Sequence, residues 1–166
     1  MARRTLFTGA MVLMLGSLLM AADAPKNLLK PTNKPESWRL EEHETAKGKM
    51  TAEEDAIVFD VTVSDATEWH VQAVQTGLDL KDGKDYVIAF KAKASADRPM
   101  QLNAMIDQDD WHPIGLAENV DLTKEWKDYK FEFKAAQVLA NKNRVTFALG
   151  TDKGKVWVKE LTLTEK

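Results

Sequence analysis

The sequence predicts an all-β protein: a two-sheet antiparallel β-sandwich of the jelly-roll kind. Three observations lead there. Roughly eight or nine short segments with strand character recur every 10–15 residues or so, the spacing of sandwiches and barrels. Within them apolar residues alternate with polar ones at a period of two, which sends one set to a core and the other outward. Only residues 135–142 suggest a helical turn, and that stretch is short.

Residues 1–22 are expected to be a secretory signal peptide. Met1-Ala2-Arg3-Arg4 is a short basic lead, Leu6 to Met20 is apolar apart from Thr8, Gly9, Gly16 and Ser17, and the small residues Ala21, Ala22 and Ala24 follow. The apolar run is too short and interrupted for a membrane span of about 20 residues. A single β-sandwich domain, residues 23–166, is expected to remain, secreted or periplasmic. Losing Arg3 and Arg4 takes the 23 basic residues to 21 against 26 acidic ones, a balance of −5. There is no cysteine, so neither disulfides nor a lipid anchor can help, and a hydrophobic core must hold the fold. A chain of this length buries over about 60% of its unfolded surface.

Residues 23–37 contain three prolines and read as an extended lead-in, with Leu28-Leu29 docking as a short first strand. Trp38-Arg39-Leu40 starts the next segment. Ile57, Phe59, Val61 and Val63 alternate with Val58, Asp60, Thr62 and Ser64 as a strand. Residues 69–94 form the central pair: Val71 and Ala73 point inward in one run, and Tyr86, Ile88, Phe90 and Ala92 in the other, with Asp82-Gly83-Lys84 as the turn. If the two runs are neighbours in one sheet, His70, Gln72, Lys91 and Lys93 share its outer face. Leu102, Ala104 and Ile106, then Tyr129, Phe131 and Phe133, then Val145, Phe147 and Leu149 mark further inward rows, and Val156–Thr164 closes the chain.

Several chemistries are excluded or left without support. A mildly acidic chain with interspersed charge does not suit nucleic acid. Three histidines at unrelated spacing and no cysteine do not make a zinc site. The chain has no GxSxG elbow, and no Gly-rich phosphate loop opening a helix. Asp107, Asp109 and Asp110 could supply an acid pair of the glycosidase type, but they read as a solvated loop tip. What remains is a binding face. Sugars offer apolar C–H patches to flat aromatic rings, and hydroxyls to amides and carboxylates. Trp69 precedes a strand and Trp111 lies in a polar loop, so both can be exposed. Gln72, Asn103 and Asp107 lie at outward strand phases, and His112 adjoins Trp111. Trp38, Trp126 and Trp157 are assigned to packing at strand ends.

Laid out in order, the chain resembles the carbohydrate-binding modules of the families 4, 9, 16 and 22 group, with a galactose-binding-like jelly roll. Asn27-Leu28-Leu29 opens the domain. Trp69-x-x-Gln72 precedes Leu80-x-x-Gly83-x-x-Tyr86-x-x-x-Phe90-x-Ala92-x-Ala94. Leu122-Thr123-x-x-Trp126-x-x-Tyr129-x-x-x-Phe133 comes next, then Phe147-x-Leu149-Gly150 and Val156-x-Val158-x-x-Leu161-x-Leu163. The resemblance implies a sandwich that binds a polysaccharide or oligosaccharide as an accessory to a secreted glycoside hydrolase; a non-catalytic role, with the hydrolase acting in trans, is expected here. The site residues expected are Trp69, Gln72, Asn103, Asp107, Trp111 and His112. No cofactor is expected. The group's structural calcium draws on an Asp or Asn near the position held here by Lys159-Glu160, and Lys159 argues against it. The alternative is an extracytoplasmic protein-interaction or envelope scaffold that kept the sandwich without the sugar site.

Overall fold

The computed structural model describes residues 25–166; the expected signal peptide lies outside them. Ten strands form two five-stranded antiparallel sheets. The first holds, in spatial order, β1 (Arg39–Glu42), β4 (Val71–Leu78), β9 (Asn143–Ala148), β6 (Arg98–Ile106) and β7 (Pro113–Leu122). The second holds β2 (Lys47–Glu53), β3 (Ala56–Val63), β10 (Gly154–Glu165), β5 (Asp85–Ala94) and β8 (Lys127–Lys134). The all-β sandwich is as the alternation predicts. Among the described residues no helix is long and apolar enough to cross a membrane.

The inward rows fill the space between the sheets. Ile57, Phe59 and Val61 face Val145 and Phe147 across a core that also takes Ile88, Phe90, Leu102 and Val156. Trp38 is buried and joins it, edge-on to Phe59 at 5.1 Å and stacked on Phe147 at 5.8 Å. Such pairs add roughly 0.5–1.5 kcal/mol beyond the area they bury.

Three local expectations are corrected. Leu28 and Leu29 form no strand: Leu28 donates one backbone hydrogen bond to Leu163, and the Asn27 side chain ties the lead-in to Leu161 and Leu163. Residues 135–142 form no helix; Ala135 exchanges backbone bonds with Gly83 and Lys84, and the buried Asn143 amide donates to Leu78 and Leu139. The runs at residues 69–94 are not neighbours in one sheet. Between them the chain crosses from the first sheet to the second, with Leu80 buried at the crossing. Gln72 and the Lys91–Lys93 pair therefore lie on different sheets.

β9 differs from a half-buried strand in a way that matters for function. All six of its residues are buried. Val145 and Phe147 face the core, whereas Arg144, Thr146 and Ala148 alternate with them on the outer face and are still covered. A central strand buried on both faces means that its outer face lies at the bottom of something.

Candidate ligand-binding groove

That something is a groove of about 820 Å³ across the outer face of the first sheet. Its floor is set by strand register. One row runs Glu41, Gln72, Ala148, Gln101 across β1, β4, β9 and β6. The next outer row includes Thr146, Asn103 and Ala117, and a third brings Arg144, Met105 and Pro113 together. Trp69 and Trp111, 47% and 43% exposed, line the groove from beyond opposite ends of these rows.

Trp69 sits in the short 3-10 turn Glu68–His70 leading into β4. The turn is held from below: Gly150 donates its N–H to the Glu68 carbonyl at 2.8 Å, and a Cβ there would collide with the Thr67 carbonyl oxygen. His70 packs edge-on against the indole at 4.1 Å, with its Nδ1 2.6 Å from Asp65 Oδ2. That hydrogen bond holds the Asp65 carboxyl below its ordinary value. His43 tilts onto the indole from β1's far end at 5.2 Å.

Trp111 is placed by strained backbone. Asp110 and Trp111 have φ of 90° and 46°, in the left-handed region that favours glycine. His112 pins the loop, Nδ1 lying 2.8 Å from Asp110 Oδ2 and Nε2 3.0 Å from the Gln137 carbonyl. Both partners are acceptors, so both ring nitrogens donate only when the imidazole is protonated. The Gln137 carbonyl first, then Asp110, raise the His112 pKa above its ordinary 6.5.

Beneath Trp111 lies a buried cation. The Arg144 side chain is 3% exposed, its Cζ 4.6 Å from the indole centroid. Its Nη1 donates to both Glu41 oxygens at 3.0 and 3.2 Å, and Nη2 reaches Gln72 Oε1 at 3.5 Å. Gln72 Nε2 in turn donates to the Trp69 carbonyl at 2.9 Å. One amide thus links both tryptophan walls: Trp69 to Gln72 to Arg144 to Trp111.

The six residues singled out from sequence divide into two groups. Trp69, Gln72, Asn103 and Trp111 line the groove together. Asp107 and His112 stand outside its lining. Asp107 forms a two-pronged ion pair with Arg39, 2.6 and 3.3 Å, and lies 3.6 Å from Arg144; His112 braces the Trp111 loop. Neither Asp107 nor Asp110 lines the groove, and no acid pair forms there from them. Sequence reasoning missed Glu41, Gln101, Met105 and Arg144. Gln101 and Met105 share the outward phase of Asn103 on β6, so that signal was present. Nothing local marks Arg144.

Residues 32–154 match the profile of a known family, CBM_4_9, described as a carbohydrate binding domain. The chain belongs to this family. Solved structures carry the same fold. One described as "CBM4 structure and function" superposes with a TM-score of 0.73 at 22% identity, covering 87% of this chain and 96% of the other. The N-terminal cellulose-binding domain of Cellulomonas fimi β-1,4-glucanase C gives 0.67 at 18% identity, over 86% and 97% of the two chains. A putative sugar binding protein from Bacteroides thetaiotaomicron gives 0.61 at 15% identity, over 85% and 100%. A search of curated proteins produced no match.

The calcium that the family resemblance implies finds no fitting residues near Lys159. Its ammonium lies 3.0 Å from Asp55, and Glu160 is taken by Lys91 at 2.9 Å. Among the described residues no group of three or more His, Asp or Glu side chains converges to hold a metal.

Proposed function

We propose that the protein is a secreted, non-catalytic polysaccharide-binding domain that lays a neutral sugar chain across the groove of its first sheet. The observation that carries this is the pair of half-exposed indoles flanking a floor of amides, Gln72, Gln101 and Asn103. Rings stack on the indoles, and hydroxyls exchange hydrogen bonds with the amides. The lining spans five strands, four spacings of about 4.8 Å, or roughly 19 Å, a reach that suits a chain rather than one sugar. Glu41, Glu42 and Glu68 outnumber Arg144 in the lining, so an anionic polysaccharide is disfavoured. Asp107 is neutralised by Arg39, which supports binding without hydrolysis. The domain acts in trans beside a glycoside hydrolase and needs no calcium to stay folded.

Affinity electrophoresis through gels of neutral and carboxylated polysaccharides tests the reading. Cellulose-derived and xylan-derived chains come first, because structural neighbours include a cellulose-binding domain and a xylanase module complexed with xylohexaose. Retardation by a neutral polymer is expected. A folded protein that no polysaccharide retards would sink the proposal in favour of a protein-interaction or envelope scaffold. A chelator is expected to leave the melting temperature unchanged.

A further inference from the structure

The outer face of the second sheet carries another cleft, built differently. Trp157 on β10 lies directly across from Lys93 on β5, and Trp126 stands just before β8. The Lys93 ammonium is 5.1 Å from both indole centroids. Lys159 lies 4.8 Å from the Trp126 ring and Lys155 5.9 Å from that of Trp157. Cations and rings therefore alternate: Lys159, Trp126, Lys93, Trp157, Lys155.

The outer two cations are compensated. Lys159 pairs with Asp55 at 3.0 Å and Lys155 with Glu53 at 3.8 Å, while Trp157 Nε1 donates to Glu53 at 2.8 Å. The central one is not: among the described residues Lys93 has no carboxylate within 4.0 Å. Glu54, in the turn between β2 and β3, lines the same cleft and has no cationic partner within that distance. Trp126 is 37% exposed and its N–H has no acceptor in the described protein. An ammonium, an indole N–H and a carboxylate are thus left free around a space of about 510 Å³, within the 300–1,000 Å³ or so typical of small-ligand clefts.

The charges decide what fits. The cleft is lined by Lys93 and Lys159 against Glu53, Glu54 and Asp55, and Lys155 pairs with Glu53 from outside the lining. The charges nearly cancel, so the cleft draws neither polyanions nor polycations. Free donors and a free acceptor beside an exposed ring suit vicinal hydroxyls on an apolar ring. We infer that this cleft is a second saccharide site, on the face opposite the groove, with Lys93 and Glu54 bonding hydroxyls and Trp126 offering its exposed ring edge. Two sites on opposite faces let one domain bridge two polysaccharide chains and gain avidity without any new contact.

Each indole N–H gives its own NMR cross-peak, assigned by Trp→Phe substitution, so the two faces report separately in one titration with soluble cellulose-derived and xylan-derived oligosaccharides. The Trp126 and Trp157 peaks are expected to shift with their own midpoint and to keep doing so in Trp111→Ala. Lys93→Gln is expected to raise that midpoint about tenfold, the equivalent of one lost charged hydrogen bond, leaving the Trp69 and Trp111 peaks unaffected. Trp126 and Trp157 peaks that stay still throughout overturn the inference, whether or not the groove responds. An unchanged midpoint in Lys93→Gln overturns it too. Stationary Trp69 and Trp111 peaks count against the groove reading alone.

Discussion

Both outer faces of the sandwich set indoles against cations, and they do so to different ends. On the first sheet the cation is buried and the ring lies above it: Arg144 is 3% exposed, clamped by Glu41, with Trp111 resting on its guanidinium. One ring face is spent on the cation, and the ring still lines open groove. On the second sheet the cations share a layer with the rings, and Lys93 fills the space between Trp126 and Trp157. A planar, pinned guanidinium makes a platform, whereas a flexible ammonium makes a filler. Where the cation sits relative to the sheet decides which part of an aromatic residue is presented: a ring face above Arg144, and a ring edge beside Lys93.

The largest effect should come from removing the buried cation. Arg144→Met leaves Glu41 and Asp107 with only the half-exposed Arg39, which bonds both, as their cation. Breaking a buried pair costs roughly 3–5 kcal/mol, and the exposure of Glu41 together with the surviving Arg39 contacts places this site at the low end. Denaturant unfolding measures it, and a loss below about 1 kcal/mol would mean that the guanidinium is not the keystone. Arg144→Lys should recover part of the stability but not the stacking of Trp111, read from its near-ultraviolet dichroism. Next in size is Trp111→Ala. Affinity for a neutral polysaccharide should fall by roughly 1–3 kcal/mol, the scale of burying an aromatic ring, with little change in unfolding midpoint. Unchanged affinity would remove Trp111 from the site.

These two residues also show what the sequence could and could not say. Trp111 was legible because a tryptophan between Asp110 and His112 sits where no core can claim it. Gln72 and Asn103 were legible from strand phase, since a period of two assigns each side chain to a face. Arg144 was not, because its importance comes from pairing with Glu41, 103 residues away, and periodicity carries no information about which strands become neighbours. The same blindness put His70, Gln72, Lys91 and Lys93 on one face. Asp107 was read as outward, which it is; that Arg39 would neutralise it depends on the β1–β4–β9–β6 order. The fold was readable from local pattern, and the site only where a single strand or loop defines it.

The two walls of the groove should also part company with pH. At the Trp111 wall the His112 pKa is raised in the folded state, so its contribution is complete below 6.5 and is lost as pH rises through the folded value. At the Trp69 wall the Asp65 pKa is lowered, so its contribution is complete above 3.8 and is lost as pH falls through the folded value. Indole N–H line widths followed across pH should show Trp111 loosening on the alkaline side and Trp69 only in acid. His112→Ala should abolish the first response and leave the second. If both indoles respond together, the walls are not independently braced.

The smallest effect belongs to the second sheet. Lys93→Met keeps the side chain's length and apolar stem between Trp126 and Trp157 but removes the ammonium. A partly exposed cation–π contact is worth roughly 0.5–1 kcal/mol, and Met recovers some of this through sulfur–aromatic contact. Stability should therefore fall by about 0.5 kcal/mol or less, several times less than for Arg144→Met. A larger loss would mean that the lysine holds β5 to β10 as firmly as Arg144 holds its loop. The contrast between a pinned platform and a flexible filler would then fail, and with it the case for free hydrogen-bonding capacity at Lys93.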